Sequence, residues 1–276
     1  MPKLLTKNQV QQFNEQGFIS PVDVMSETAA YELKTRLEEA EALYPQELNS
    51  ENRNNAHLGF KFMDELAHNS IILDAVEDLL GENISLWGSV LFIKEPQSPG
   101  YVSWHQDATY MGLKPHDFVT PWLALTHSNQ KNGCMSMIPG SHQDSIHHHK
   151  DTFDKNNILT RGQAVQNIDE SMAVDLILKP GQMSIHHAKI IHGSKPNLST
   201  QRRIGAVLQS FTRTSSLQVL GENYWMPIRG SEINKRHIHL PRPVSDMDER
   251  ARATRHTANQ NWSDILYQGA DSKRAY

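Results

Sequence analysis

The stretch AVDLILKPGQMSIHHAKIIHGS, residues 173–194, decides how this chain folds. Its apolar runs are short and are broken by Pro180 and Gly181. Runs of that kind, bounded by turn residues, read as β-strands rather than helices. Working outward, the same texture recurs in NISLWGSVLFIKE (83–95), YVSWHQDATY (101–110), FVTPWLALTHS (118–128), CMSMIPGSH (134–142) and RRIGAVLQSFTR (202–213). Many short strands separated by turn signals predict an antiparallel sandwich or barrel over about residues 81–215.

Before Gly81 the period changes. Thr6-Lys7-Asn8-Gln9 has the pattern of a capping box ahead of Val10 and Phe13, and Phe18 and Ile19 start an extended piece after Gly17. Ala30, Leu33, Leu37 and Ala40 recur at helical spacing between Ser26 and Leu43. Leu66, Ile71, Ile72, Ala75, Leu79 and Leu80 do the same between Asp64 and Gly81. These stripes predict a helical layer over about residues 1–80, packed on the barrel. A C-terminal extension is expected over about residues 216–276, with its tail from about Ser245 polar and partly helical. The chain has 276 residues and no repeat or linker, so a single domain over 1–276 is the expectation.

Composition narrows the function. There are 27 Lys and Arg against 31 Asp and Glu, a net charge of −4, which lacks the basic excess of a nucleic-acid binder. The one cysteine, Cys134, allows no intrachain disulfide, and a reducing compartment is expected. No apolar run approaches the roughly 18 residues of a membrane span. The opening MPKLLTKNQVQQFNEQ lacks the apolar core of a signal peptide. The expectation is a cytoplasmic protein that acts on a small molecule, without nucleic acid or membrane. The 15 histidines stand out, because histidine is the commonest metal ligand.

His-x-Asp occurs three times, at His105/Asp107, His142/Asp144 and His149/Asp151. Residues two apart in a strand share a face. His105 and Asp107 would thus face one way with Tyr101 and Ser103, and Trp104 and Gln106 the other. His142/Asp144 follows the turn Pro139-Gly140-Ser141, and His149/Asp151 belongs to the run His147-His148-His149-Lys150, which reads as a solvated loop. Two histidines and one carboxylate are the donor set of non-haem Fe(II) oxygenases. The third ligand must come from a distant strand. His192 is a candidate, followed by Gly193, which suits a tight turn; His186 and His187 are its rivals. Arg202 and Arg203 open the next strand. Alternation sends one of them outward and the other inward, where a buried guanidinium needs a carboxylate partner.

In this order HQD, NGCMSMIPGSH, PGQMSIHHAKIIHGSKPN and the following arginine resemble the phytanoyl-CoA dioxygenase family of Fe(II)- and 2-oxoglutarate-dependent oxygenases, over about residues 85–211. The resemblance implies a double-stranded β-helix, the cupin-like jelly roll. It implies Fe(2+) held by His105, Asp107 and His192, with 2-oxoglutarate and O2 as cosubstrates and ascorbate as reductant in vitro. It implies Arg203, eleven residues after the distal histidine, as the partner of the far carboxylate of 2-oxoglutarate. Arg202 is the second candidate for that role, and Thr109, Tyr110 and Thr126 are expected near the cosubstrate. Family halogenases lack the acidic ligand, so Asp107 points to hydroxylation, with release of succinate and CO2.

YVSWHQDATYMGL further resembles a bacterial branch acting on small zwitterions such as 2-aminoethylphosphonate or its N-methylated relatives. On that reading Lys94, Arg161 and Arg213 are candidate anion-binding groups. Tyr101, Tyr110 and Trp122 are candidate walls for an ammonium group. Lys150 to Gln166 is the expected mobile loop beside the site. Two other classes fit the same fold. A cupin-type metal-dependent isomerase or hydrolase would need no 2-oxoglutarate and no ligand for Arg203. A non-catalytic small-molecule binding protein would have no use for an intact ligand triad.

Overall fold

The computed structural model describes residues 2–49, 52–222, 224–232 and 234–273. The large sheet runs, in spatial order, Phe18–Asp23, Gln182–His187, Val119–Ala124, Arg203–Arg213, Ile84–Lys94, Tyr224–Arg229 and Ile238–His239. The small sheet runs Val102–His105, His192–Ser194, Met135–Met137 and Val174–Asp175. Pairing in both is antiparallel except between the last two strands of the large sheet. This is the mainly β, antiparallel sandwich with flanking helices that the strand texture predicts, in the jelly-roll form that the resemblance implies.

Alternation explains the layers. On the Arg203–Arg213 strand, Ile204, Ala206 and Leu208 join Leu37, Phe62 and Ile72 in a core between sheet and helices. Val207 faces the other way, into a core with Trp122, Met135 and Leu176 between the sheets. The parity then flips. Ser210 takes a left-handed conformation (φ 64), pairing with Val119–Ala124 slips between Val207 and Phe211, and Phe211 returns to the helical side. Bulges of this kind re-aim side chains and cluster near functional sites.

The helical layer holds Lys7–Gln16, Glu27–Leu43, Lys61–Ala67 and Ser70–Leu80. The first is closed by the Thr6/Gln9 capping box and by Gly17 at φ 85. The stripe between Asp64 and Gly81 is two helices and not one. The Asn69 side chain accepts the Ile71 and Ile72 amides and starts a new helix there, so a local cap overrides a continuous hydrophobic period.

The large sheet also draws strands from outside residues 81–215. Phe18–Asp23 pairs with Gln182–His187, and Tyr224–Arg229 pairs with Ile84–Lys94. The C-terminal extension therefore completes the sheet. It then returns as the helix Glu249–Leu266 across the open side of the barrel. Arg255 anchors this helix: it is wholly buried, pairs with Glu47 at 3.2 Å and donates to the Asn54 carbonyl. Among the described residues no helix is long and apolar enough to cross a membrane.

Candidate metal centre and cosubstrate pocket

The two sheets enclose a cavity of about 180 Å³, and three buried side chains converge on it. His105 ends the Val102–His105 strand, and His192 is its direct partner on the adjacent strand, with ring centroids 4.1 Å apart. Each histidine donates its Nδ1–H to a backbone carbonyl, His105 to Ser103 at 2.9 Å and His192 to Ile190 at 3.1 Å. A carbonyl only accepts, so both rings are fixed in the tautomer that leaves Nε2 free as a donor to a metal. Asp107 Oδ1 lies 3.5 Å from His105 Nε2 and 3.9 Å from His192 Nε2. All three ligand atoms fall within 4.8 Å of one another.

The other carboxylate oxygen is held separately. Asp107 Oδ2 accepts from the Thr120 hydroxyl at 3.2 Å and from His186 Nε2 at 3.4 Å. Burial alone would raise the Asp107 carboxyl. The hydrogen bonds from His105 and His186 and the nearby His192 outweigh it and hold the group well below the usual carboxylate range. Burial, followed by the charges of His105 and His186, holds His192 well below the usual imidazole value. An ionised carboxylate beside a neutral imidazole is the state that binds a divalent cation.

Two sequence expectations about this cluster change. Asp107 is not in the strand but opens a 3-10 turn, Asp107–Thr109, so it meets His105 through the turn and not through alternation. Gly193 makes no turn and lies within the His192–Ser194 strand. A Cβ there would sit 2.9 Å from the Val102 carbonyl, so the glycine permits close approach of the strands that carry His105 and His192.

At the other end of the cavity lies Arg203, 2% exposed. Nη1 donates to the Gly133 carbonyl at 2.7 Å, and the guanidinium lies 5.1 Å from the Trp122 ring centroid. Its Nε is buried without a partner, and no carboxylate among the described residues pairs with it. Burial lowers its pKa to about 10, which leaves it charged at neutral pH. A buried, unpaired cation facing a cavity is costly unless a ligand supplies the anion. Gly205 makes the room: a Cβ there would lie 2.0 Å from the Trp122 indole.

The remaining candidates are placed differently. Arg202 faces out, donating to Glu41 at 2.9 and 3.0 Å and to Glu95 at 2.9 Å, because its neighbour took the inward parity. The Thr126 hydroxyl accepts the Ile204 amide at 2.9 Å and does not line the cavity. Thr109 bonds His149 at 3.3 Å and is likewise outside the lining. Tyr110 does line it, with its hydroxyl donated to Asp151 at 3.3 Å. Arg161 is consumed by Asp151, by the carbonyls of Leu266 and Gln268, and by the face of Tyr110. Arg213 pairs with Asp117 near the surface. Tyr101 is tied by its backbone to residues 156 and 158, away from the cavity lining.

Lys94 is not solvated. It is buried behind Ser194, donates to the Ser194 hydroxyl at 2.7 Å, and burial, then Arg203, pushes its pKa down to about 6. The histidine run is only partly solvated. His149 is half-buried, accepts the Gln106 amide at 2.9 Å and so clamps the backbone between His105 and Asp107. From Lys150 to Gln166, the chain supplies Ile158, Leu159, Thr160 and Gln163 to the cavity wall. Sequence reasoning missed Thr120, Gln209, Trp262 and Leu266, which also line the cavity.

The chain belongs to the phytanoyl-CoA dioxygenase (PhyH) family, whose profile matches residues 13–205. Among curated relatives, it is 31% identical over 192 residues to a probable alpha-ketoglutarate-dependent hypophosphite dioxygenase of Stutzerimonas stutzeri, covering 69% of this chain and 66% of that protein. It is 31% identical over 131 residues to the peroxisomal phytanoyl-CoA dioxygenase of Homo sapiens, covering 46% of this chain and 39% of the other. The matches thus span about two-fifths to just under two-thirds of these relatives' lengths. Among solved structures, the non-heme monooxygenase ThoJ in its apo form superposes with a TM-score of 0.84 at 28% identity, over 94% of this chain and 98% of that one. CytC3 with Fe(II) and alpha-ketoglutarate shares the fold, with a TM-score of 0.65 at 20% identity over 88% of this chain and 98% of that one.

Proposed function

We propose that this protein is an Fe(II)- and 2-oxoglutarate-dependent dioxygenase that hydroxylates a small molecule, with His105, Asp107 and His192 as the metal ligands and Arg203 as the anchor for the far carboxylate of 2-oxoglutarate. The observation that carries the reading is the pairing of two unmet needs in one cavity. Three donor atoms, from His105, Asp107 and His192, lie within 4.8 Å of one another, and the buried Arg203 guanidinium, which no protein carboxylate among the described residues neutralises, faces the same space. Family membership and the similarity to a dioxygenase and a non-heme monooxygenase support the same assignment.

Ferrous iron bound there with 2-oxoglutarate and O2 would supply oxidative decarboxylation to succinate and CO2 coupled to insertion of oxygen into a substrate C–H bond. The protein's own residues do the rest. Thr120 and His186 hold Asp107 Oδ2 and turn Oδ1 to the ligand cluster, while His149 fixes the backbone between His105 and Asp107. Trp122 and Gly133 hold Arg203 at the closed end, so an elongated dicarboxylate is oriented with its other end towards the ligands. A cupin-type isomerase or hydrolase would leave the Arg203 charge without use.

The finer expectation, an aminoalkylphosphonate substrate, comes from the resemblance of YVSWHQDATYMGL and would need an anion-binding group, for which Lys94, Arg161 and Arg213 are the candidates. These side chains are engaged with Ser194, Asp151 and Asp117 respectively, which weighs against it. The test is succinate release from Fe(II)-loaded protein with ascorbate, 2-oxoglutarate and a panel of small amines, aminoalkylphosphonates, hypophosphite and neutral compounds. Turnover that disappears in His192→Ala is the expected result. Absence of any 2-oxoglutarate consumption, coupled or uncoupled, contradicts the proposal.

A further inference from the structure

The cavity continues past the ligands on the side away from Arg203. Inward positions on the Arg203–Arg213 strand run Arg203, Gly205, Val207 and Gln209, so about 20 Å of strand separates the first from the last. Gln209 lies at the level of Thr120 in the adjoining strand, the residue that holds Asp107. Gln209 and Arg203 therefore lie at opposite ends of the inward face of this strand, Gln209 towards Thr120 and Arg203 towards Lys94 and Ser194.

Three features define this second end. The Gln209 amide lines the cavity and makes no hydrogen bond to the protein among the described residues. It is open to the cavity, so both its donor and its acceptor are available to a ligand. The cavity wall includes the apolar side chains Val90, Met111, Leu159, Trp262 and Leu266, with the neutral polar residues Tyr110, Thr160 and Gln163 among them. No unpaired charge faces it: among the described residues the charged groups on the cavity besides the ligands and Arg203 reduce to Arg53, which pairs with Glu95 at 3.3 Å and Glu41 at 3.8 Å. Arg161, the one cation close to this wall, is fully engaged by Asp151 and by backbone carbonyls of residues 266 and 268.

Two of the wall residues come from the Glu249–Leu266 helix, which lies outside the stretch matched by the family profile. Gly88 admits that helix: a Cβ at this position would sit 2.0 Å from the Trp262 ring. Trp262 packs on Trp87 with ring centroids 4.2 Å apart, so it is a fixed wall.

We infer that the substrate is an uncharged, mainly apolar small molecule carrying one amide- or hydroxyl-type group that meets Gln209, and that the C-terminal helix sets specificity through Trp262 and Leu266. This rests on the dioxygenase reading only in giving the Arg203 end to 2-oxoglutarate. A carboxylate or phosphonate at the Gln209 end would lose its hydration without gaining a cation, which disfavours it against a neutral group of the same shape.

The test uses the full chain loaded with redox-inert zinc and 2-oxoglutarate, and saturation-transfer NMR of matched probes: hexanamide, 1-hexanol, hexanoate, hypophosphite and 2-aminoethylphosphonate. Hexanamide is expected to bind at least about tenfold more tightly than hexanoate, the equivalent of ~1.4 kcal/mol. Leu266→Trp, which fills the half-buried wall position, should weaken hexanamide by at least tenfold and leave 2-oxoglutarate affinity unchanged. Gln209→Leu should narrow the preference for hexanamide over hexanoate. Equal or tighter binding of any of the three charged probes overturns the inference, and so does hexanamide binding indifferent to Leu266→Trp. If the zinc-loaded protein does not bind 2-oxoglutarate, the dioxygenase reading fails on its own. The effect of Leu266→Trp on hexanamide is then read in the metal-free protein and still decides the substrate wall.

Discussion

His105 and His192 are direct cross-strand partners, and both rings are pinned by Nδ1–H bonds to backbone carbonyls of the protein itself. Two of the three proposed ligands are thus set by strand register and the third by a turn. A site organised in this way costs little to assemble on binding. Metal should therefore add stability to a protein already folded without it. Iron at about 100 times its dissociation constant contributes ~2.7 kcal/mol, worth roughly 5–10 °C in Tm for a chain of this size. Differential scanning fluorimetry under anaerobic conditions should show that rise in the wild type and none in His192→Ala.

Asp107 depends on partners beyond the ligands. Thr120→Val and His186→Phe each remove a hydrogen bond to Oδ2 and free the carboxylate to rotate. Loss of such supporting contacts lowers metal affinity by about 10–100-fold. Equilibrium dialysis with Fe(II) or a spectroscopic surrogate reads this directly. Unchanged affinity in both variants would mean that Asp107 is oriented by something else.

Gly193→Ala is predicted to be costly despite the conservative change. The new methyl would meet the Val102 carbonyl at 2.9 Å, in the strand pair that brings His105 and His192 together. Overpacking of this sort costs about 1–3 kcal/mol. Denaturant titration should show the loss of stability, and metal affinity should fall with it as the ligand strands separate.

Lys94 gives the protein a pH signature. Its folded pKa of about 6 lies below the ordinary lysine value, through burial first and Arg203 second. Between about pH 6 and 10 the unfolded chain holds a proton on this residue that the folded chain does not. The unfolded state binds more protons, so stability rises with pH across that window, by up to about 1.4 kcal/mol per unit. Lys94→Met should flatten the slope in chemical denaturation measured from pH 6 to 9. A wild-type slope no steeper than that of Lys94→Met contradicts this account of the residue.

Part of the proposed ligand cluster was legible because it is written locally. His-x-Asp in a strand-like run is a pattern of spacing and type, whereas His192 was singled out from His186 and His187 by the family resemblance. The roles of the basic residues were not legible, because they depend on who stands opposite. Nothing in RRIGAVLQSF itself fixes which parity faces in; the family resemblance pointed to Arg203, and the fold puts Arg202 against Glu41 and Arg203 in the cavity. Asp151 lies close to Arg161 in sequence, yet their pairing needs the loop to close on itself. Gln209 could have been reached by carrying the alternation onward from Arg203. Trp262 could not, since it enters the cavity only because Gly88 has no side chain.

The most direct measurement is an anaerobic titration of the Fe(II)-loaded protein with 2-oxoglutarate, following the visible charge-transfer absorption of the chelated metal, in the wild type, Arg202→Ala and Arg203→Lys. Charge-assisted hydrogen bonds of the kind assigned to Arg203 contribute about 1.5–3 kcal/mol. The prediction is a saturable band in the wild type, the same affinity in Arg202→Ala, and affinity about 10–100-fold weaker in Arg203→Lys. A wild type that develops no band, or an Arg203→Lys variant that binds as tightly as the wild type, contradicts the assignment of this cavity to iron and 2-oxoglutarate.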